Sequence, residues 1–232
     1  MTSNSIREGQ TSYIQAPELD GPITLDLPSP TADLQQGFDD LNSHGCCILL
    51  DALNATAVDE LRQRLDQQHA AEQALGALCP DRGNSNKQVL PNMVNKGAYF
   101  LDLIENATTE AIANYLLGKH WLLSSLTAHL FIGPTTKTEL IHRDQGQIPA
   151  SIEFPALCNL FYLLDDFTPQ RGSTVVFPGS HRWPLKYRVH PPKPELGQQI
   201  NAPAGSLFVF DGRLWHGTGA NLEGHARRAI SV

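Results

Sequence analysis

The short segment Ile141–Gln145 carries two side chains that can share a metal ion. If it forms a β-strand, His142 and Asp144 project from one face and Arg143 from the other. An imidazole and a carboxylate on one face supply two of the three ligands of a 2-His-1-carboxylate triad, which holds non-haem Fe(II) and leaves coordination positions open. The pair alone is weak evidence, because His-x-Asp occurs often by chance and a surface or satisfied core histidine would also explain His142.

A second histidine supplies the third ligand of the predicted triad. His216 follows the apolar segment Gly205–Phe210 and lies just before a Gly-x-Gly turn, 74 residues after His142. A closed β-barrel brings strands that are distant in sequence together, so this separation is structurally reasonable. We therefore predict a metal site formed by His142, Asp144 and His216.

An arginine pair near the C-terminus suggests a partner for an anionic cosubstrate. Arg227 lies eleven residues after His216, and a hairpin through residues 217–225 would return the chain beside that histidine. An inward guanidinium there could bind a carboxylate through two parallel hydrogen bonds. Arg228 would then face the opposite side of the strand. The alternative is that both arginines are ordinary surface charges, and the metal triad favours the first interpretation.

The elements that must position these residues fall into two parts. The part before residue 121 shows mostly helical patterns. It comprises an extended arm over residues 1–30, a short helix with Thr31 as N-cap and Gly45 as its stop, a buried strand Cys46–Leu50, a surface helix Asn54–Ala74, a loop over 80–98 and a helix Thr108–Leu117 ended by Gly118. We expect residues 31–120 to form a mostly helical part.

After residue 120, short apolar segments alternate with turn residues, which is typical of a β-barrel or sandwich. The predicted strands are Leu122–Ile132, Cys158–Leu164, Ser173–Phe177, Ser206–Phe210 and Ala229–Val232. The predicted fold class is mainly β with helices (α+β), in which the N-terminal helices pack on a β core over residues 121–232. We expect residues 1–232 to form a single domain.

Composition excludes several classes of protein. Hydrophobic residues make up 41% and charged residues 18%, as in ordinary globular proteins, and the net charge of −7 argues against nucleic-acid binding. No apolar stretch is long enough for a membrane span, and Met1–Asp20 lacks the apolar region of a secretory signal. The cysteines at 46, 47, 79 and 158 lack metal-ligand spacing. Free thiols in a reducing cytoplasm explain them better than disulfides, so we expect a cytoplasmic protein.

Taken together, these motifs resemble the phytanoyl-CoA dioxygenase family of Fe(II)/2-oxoglutarate oxygenases. The segments that carry the likeness are His142–Gln145, Gly172–His181, Ala204–Asn221 and Arg227–Ser231, with a more diffuse likeness at Gly37–Gly45 and Leu116–Gly118. The resemblance spans about residues 35–232 and is specific in combination, because order and spacing agree as well as residue type.

The resemblance implies a double-stranded β-helix (jelly-roll) core with Fe(II) at His142, Asp144 and His216. It also implies 2-oxoglutarate as cosubstrate and O₂ as oxidant. Arg227 would bind the distal carboxylate, Thr218 would add a hydroxyl contact, and Thr174 is a weaker candidate of the same kind.

The implied reaction oxidises, most simply hydroxylates, a C–H bond of a small molecule and releases succinate and CO₂. Related halogenases have a small residue at the carboxylate position, so Asp144 favours oxygenation. We assign His181 to a structural turn. Many members have a glutamine two or three residues before the first histidine, where this chain has Glu139 and Leu140.

Two other functions stay open at the level of sequence. A non-catalytic, cupin-like barrel could bind a small ligand or a structural metal, and a zinc-dependent hydrolase could use the same three ligands but would give Arg227 no role. The substrate should lie against the loops at 81–98, 145–157 and 182–203. For the phosphates of an acyl-CoA, Lys186, Arg188 and Lys193 are a thin basic patch, which favours a small metabolite or natural product instead.

Overall fold

The computed structural model describes residues 24–81 and 84–232, without the side chains of residues 79–85. Helices and strands alternate in the first half, and strands dominate the second. The helices are α1 (Leu34–His44), α2 (Ala55–Ala74), α3 (Ala98–Leu101) and α4 (Ala107–Leu117). The strands are β1 (Cys46–Leu49), β2 (Cys79–Asp81), β3 (Asn84–Leu90), β4 (Thr127–Phe131), β5 (Cys158–Leu163), β6 (Thr174–Val176), β7 (Gln198–Gln199), β8 (Leu207–Asp211), β9 (His216–Thr218) and β10 (Arg227–Ser231).

These strands form two antiparallel sheets that face each other. The large sheet has the order β1-β8-β5-β10-β4-β3-β2, and the small sheet has the order β7-β6-β9. Val176 of the small sheet packs with Phe208 and Phe210 of the large sheet in one buried cluster. Period-2 alternation sends Leu207 and Val209 to the other face of β8. The predicted jelly-roll core is confirmed.

The helices cover the outer face of the large sheet. Leu61 and Leu65 of α2 and Ile112 of α4 join Leu207 and Val209 in the largest buried cluster. Helical spacing places the α2 leucines on one stripe, so its other faces remain polar. None of the helices in the two described ranges is long and apolar enough to cross a membrane.

The start of α1 differs from its prediction by a few residues. Asp33 is the N-cap, and its side chain accepts a hydrogen bond from the backbone N–H of Gln35. Thr31 is extended instead, because its backbone bonds to Ile48 and Leu50 beside β1. The predicted stop at Gly45 is confirmed, since this residue has a φ of 77°, a left-handed conformation that favours glycine.

The predicted loop over residues 80–98 is wrong. It contains β2 and β3, and β3 pairs with β4 so that Lys87 lies opposite Phe131 and Val89 opposite His129. Asparagine and glycine lower the β-propensity of this segment, but backbone pairing to β4 outweighs it. The large sheet therefore includes three strands from the region expected to be mostly helical. The expected arm over 1–30 lies outside the described residues up to residue 23, and residues 24–30 contain no helix or strand.

The predicted hairpin through residues 217–225 is also wrong. β9 pairs with β6 in the small sheet, whereas β10 lies between β4 and β5 in the large sheet. The connection crosses from one sheet to the other and is held by Asn221, whose backbone N–H bonds to Thr135 Oγ1 at 2.8 Å. Arg227 and His216 therefore face each other from opposite walls of the barrel.

Candidate active site

The structure brings His142, Asp144 and His216 together. His142 and His216 exchange two backbone hydrogen bonds, of 2.8 and 2.9 Å, as an isolated bridge. Asp144 begins a 3-10 turn, so a bridge followed by a turn, rather than a continuous strand, places it beside His142. His142 Nε2 lies 3.2 Å from Asp144 Oδ1, and His216 Nε2 lies 3.4 Å from Asp144 Oδ2. One potential ligand atom from each residue lies within 4.8 Å of the other two.

The hydrogen bonds around these residues match the requirements of a metal site. The Nδ1 atoms of His142 and His216 each lie 3.0 Å from a backbone carbonyl oxygen, of Leu140 and Leu214 respectively. A carbonyl only accepts, so Nδ1 carries the proton in both rings and Nε2 is the ligand nitrogen, which points toward Asp144. Asn159 Nδ2 donates to Asp144 Oδ2 at 2.6 Å and fixes the carboxylate.

The protonation states also suit a divalent cation. Burial acts to raise the pKa of Asp144, but the neighbouring imidazole rings of His142 and His216 outweigh burial and lower it below the ordinary value. Burial lowers the pKa of His216 and keeps that ring neutral. An ionised carboxylate and a neutral imidazole are the forms that bind metals. The three residues therefore fit a metal such as iron.

The triad lines a cavity of about 470 Å³ between the two sheets, here called the active-site pocket. Its walls come from both sheets and from the segment that precedes the first histidine. The lining residues are Lys87, Val89, Ser125, Thr127, His129, Glu139, Leu140, His142, Asp144, Leu157, Asn159, Phe161, Phe167, Thr174, Phe210, His216, Gly217, Thr218, Arg227 and Ser231. A pocket of this size suits a small molecule.

Arg227 is a buried cation in this pocket. Its guanidinium carbon lies 4.4 Å from the ring centres of both Phe131 and Phe167. Its Nη1 donates to the carbonyl of Gly172, and its Nε has no hydrogen-bond partner among the described residues. Burial lowers the pKa of Arg227 to about 9, which leaves the group protonated at neutral pH. A buried guanidinium with an unused N–H can bind an anion.

A second cation, Lys87, accompanies Arg227. Its Nζ donates to Glu139 Oε2 at 2.6 Å and to Thr218 Oγ1 at 3.2 Å, and it lies 5.8 Å from the centre of the Phe131 ring. By sequence, Lys87 falls within the predicted loop over residues 80–98. Nothing in the local sequence distinguishes it, because its position depends on the pairing of β3 with β4.

The other residues singled out by sequence fall into place around the pocket. Thr174 and Thr218 are directly opposite each other in the pairing of β6 with β9, and both line the pocket. Arg228 faces away, as the alternation of β10 predicts, and bonds to acidic residues outside the pocket. His181 lies apart from the triad, with its Nε2 3.3 Å from the carbonyl of Asn42, and burial lowers its pKa to about 4.

Comparison with known proteins decides the family. The profile described as phytanoyl-CoA dioxygenase (PhyH) matches residues 41–229. The chain belongs to the phytanoyl-CoA dioxygenase family. It is therefore an Fe(II)- and 2-oxoglutarate-dependent enzyme, with iron as its metal and 2-oxoglutarate as its cosubstrate.

Individual relatives agree with this membership of the phytanoyl-CoA dioxygenase family. Dioxygenase af480 of Aspergillus fumigatus is 28% identical over 228 residues, which cover 95% of this chain and 72% of that protein. Iron/alpha-ketoglutarate-dependent dioxygenase penM of Penicillium thymicola is 27% identical over 224 residues, covering 88% and 69%. The fold is similar to that of HygX from Streptomyces hygroscopicus with nickel, 2-oxoglutarate and hygromycin B bound, with a TM-score of 0.64, 15% identity and 85% of each chain covered.

Proposed function

We propose that this dioxygenase oxidises, most simply hydroxylates, a C–H bond of a small metabolite or natural product and releases succinate and CO₂. His142, Asp144 and His216 hold the Fe(II), and Arg227 binds the distal carboxylate of 2-oxoglutarate. The observation that carries this proposal is a single pocket with two ends: a cluster of one carboxylate and two imidazoles, and a buried guanidinium. The first end suits a divalent metal and the second suits a carboxylate.

The residues of this chain divide the work between binding and positioning. When bound, the iron supplies the activation of O₂ and the oxidising power for attack on a C–H bond. Asn159 holds Asp144 in its ligating orientation through the 2.6 Å hydrogen bond. Arg227 fixes the far end of the cosubstrate, and Thr218 and Thr174 add hydroxyl contacts. Holding the reactants in a fixed geometry lowers the entropic part of the activation barrier.

The charges at the cosubstrate end match one carboxylate. Arg227 and Lys87 contribute two positive charges, and Glu139 neutralises one of them through its 2.6 Å ion pair with Lys87. The remaining positive charge fits the distal carboxylate of 2-oxoglutarate. Glu139 lies three residues before His142, where many relatives have a glutamine that can contact the cosubstrate. In this chain Lys87, the ion-pair partner of Glu139, makes that contact instead.

The rest of the pocket suits a substrate with apolar surface. Val89, Leu140, Leu157 and Phe161 line it together with the metal cluster, and apolar walls exclude water from the reacting atoms. Of the three segments expected to contact the substrate, 81–98 and 145–157 contribute to these walls. The binding of hygromycin B by HygX supports a small-molecule substrate. Free thiols at Cys46, Cys47 and Cys158 support a cytoplasmic location.

The decisive experiment measures succinate release from 2-oxoglutarate by protein loaded with Fe(II), with Zn(II), or with no metal. We expect succinate release with Fe(II) and not with Zn(II) or without metal, because zinc has no redox chemistry. His216→Ala should abolish release, whereas the control His225→Ala should not, because His225 is an exposed histidine outside the pocket. Full release by His216→Ala would contradict the triad. Binding of 2-oxoglutarate without release would favour the non-catalytic barrel, and substrate hydrolysis by the zinc form would favour the hydrolase.

The branch between oxygenation and halogenation depends on Asp144. His142, Asp144 and His216 would hold the iron together, and the Asp144 carboxylate fills the place that a small residue leaves open to chloride in related halogenases. We therefore expect only oxygenated product in high chloride, as measured by mass spectrometry. A chlorinated product from the unmodified protein would show that Asp144 is not a ligand.

A further inference from the structure

A second cavity, of about 620 Å³, adjoins the active-site pocket. His142 lines both of them. Ile141 and Trp215 directly precede His142 and His216, so their side chains point to the opposite face from the two histidines. Both line the second cavity, which therefore lies toward the outer face of the small sheet. Its lining residues are Ile141, His142, Arg143, Gly146, Gln147, Ile148, Pro149, Ala150, Arg188, Val189, Pro191 and Trp215. The segment at 182–203 contributes here rather than to the active-site pocket.

The charge of this second cavity is one-sided. It is lined by Arg143 and Arg188, and none of the described residues that line it is acidic. The chain as a whole carries a net charge of −7, so a cavity lined by two arginines and no carboxylate departs from the rest of the surface. In the active-site pocket, by contrast, Glu139 and Asp144 balance the cations.

Arg188 is held rigidly in this wall. Only 7% of its surface is exposed. Its Nε donates to the carbonyl of Trp183 and its Nη1 to the carbonyl of Ala150 at 3.2 Å. The ion pair between Arg188 and Glu153 is weak, because the closest oxygen lies 3.8 Å from Nη2 and the Glu153 side chain is 75% exposed. The positive charge of Arg188 is therefore fixed in place; the charges of Asp211 and Arg213 also act on it, with opposite effects.

Arg143 brings a second guanidinium to the same cavity. Its guanidinium carbon lies 5.2 Å from the centre of the Trp215 ring, and its buried Nε has no hydrogen-bond partner among the described residues. Arg143 and Arg188 both line this cavity, so their guanidinium groups share one space. Two guanidinium groups in one cavity repel each other, and an anion bound in that cavity would offset the repulsion.

We propose that this second cavity is an oxyanion subsite, in which Arg143 and Arg188 hold a carboxylate or phosphate group carried by the substrate. Planar guanidinium groups recognise such oxygens through paired, charge-assisted hydrogen bonds. Through His142, the cavity adjoins the metal cluster, so an acidic group bound here anchors the rest of the substrate beside the reacting centre. The role in turnover rests on the proposed function, whereas the binding of an oxyanion does not.

The test is an equilibrium titration with inorganic phosphate and, separately, with acetate. The protein is first loaded with Ni(II) and 2-oxoglutarate, so that neither anion competes for Arg227. Tryptophan fluorescence reports binding because Trp215 stacks against Arg143, and the rise in melting temperature gives a second measurement. We expect saturable binding of at least one of the two anions by the unmodified chain.

Arg143→Gln should weaken that binding by at least about tenfold, since it removes a charged donor. The Arg143 side chain has no hydrogen-bond partner among the described residues, so the variant should keep its fold, which circular dichroism checks. Arg143→Lys keeps the charge but loses the planar guanidinium group. Its affinity for the anion should lie between those of Arg143→Gln and the unmodified chain. The matched control is Arg171→Gln, which removes an arginine paired with Glu223 outside both cavities.

Equal affinity in Arg143→Gln and the unmodified chain would overturn the proposal, as would the absence of saturable binding for both anions. Neither measurement depends on turnover. A failure of the proposed function appears instead as the absence of succinate release, so the two failures are distinguishable.

Discussion

Arg227 and Arg228 are neighbours on β10, but they lie on opposite faces of the large sheet and in opposite environments. Arg228 bonds to Asp66 at 2.8 and 2.9 Å and to Asp165 at 3.0 Å, and these acids raise its pKa against the effect of burial. Arg227 lies between two phenyl rings, where burial lowers its pKa, and its Nε has no partner among the described residues.

The two faces of the large sheet place their arginines in different environments. The outer arginine is satisfied by the protein itself and ties α2, through Asp66, to the sheet. The inner arginine is buried without a carboxylate in contact among the described residues. A buried charge without such a partner lowers the stability of the fold. We propose that this buried cation beside the metal cluster binds a ligand that brings its own carboxylate. The comparison predicts that the two arginines affect different measurements.

The largest effect should come from the inner face. Arg227→Ala should raise the KM for 2-oxoglutarate by at least about 100-fold, because two charge-assisted hydrogen bonds, each worth about 1.5–3 kcal/mol, are lost. Succinate release at varied 2-oxoglutarate measures this. If Arg228→Ala shows the large effect and Arg227→Ala does not, the proposed roles of the two arginines are reversed.

A smaller effect should come from the second cation of the pocket. Lys87→Met removes one positive charge but leaves the guanidinium of Arg227, so we expect the KM for 2-oxoglutarate to rise by about tenfold. The matched control is Lys186→Met, since Lys186 lies over the ring of Tyr187 and does not line the active-site pocket. An unchanged KM in Lys87→Met would mean that Lys87 serves only to pair with Glu139.

The opposite sign is expected for the acid that neutralises Lys87. Glu139→Gln leaves two uncompensated cations around the cosubstrate carboxylate, and we expect the KM for 2-oxoglutarate to fall by a few-fold, on the order of 1 kcal/mol or less. High ionic strength should reduce the difference between variant and unmodified chain. A higher KM in Glu139→Gln would show that Glu139 contributes to binding by holding Lys87 in position.

The smallest effect on cosubstrate binding should come from the outer face. Arg228→Ala should change the KM for 2-oxoglutarate by less than about twofold, because the ion pairs that it breaks lie on the far side of the sheet. Its free energy of unfolding should fall by about 1 kcal/mol as measured with urea, and salt should diminish the loss. Arg171→Ala, which breaks a single exposed pair, is the control and should lose less stability.

Much of the fold and the site follows from local sequence. Period-2 alternation alone separates Arg227 from Arg228, and the structure confirms it. Helix α2, the stop at Gly45 and the buried strand after it depend on interactions within a few residues, so short patterns predict them. The types of His142, Asp144, His216 and Arg227 indicated the chemistry because few residue types can bind a metal or a dicarboxylate.

Other features depend on contacts between distant segments, and the tertiary structure decided them. Lys87 enters the pocket only because β3 pairs with β4, against the low β-propensity of its own residues. β10 inserts between β4 and β5 rather than returning beside β9: its backbone pairs with both strands, and Ile230 joins the buried cluster beneath the helices. Arg143 and Arg188 come from segments 45 residues apart. Sequence spacing fixes which way a side chain points within its own strand, but the pairing of strands and the packing of sheets determine what it meets there.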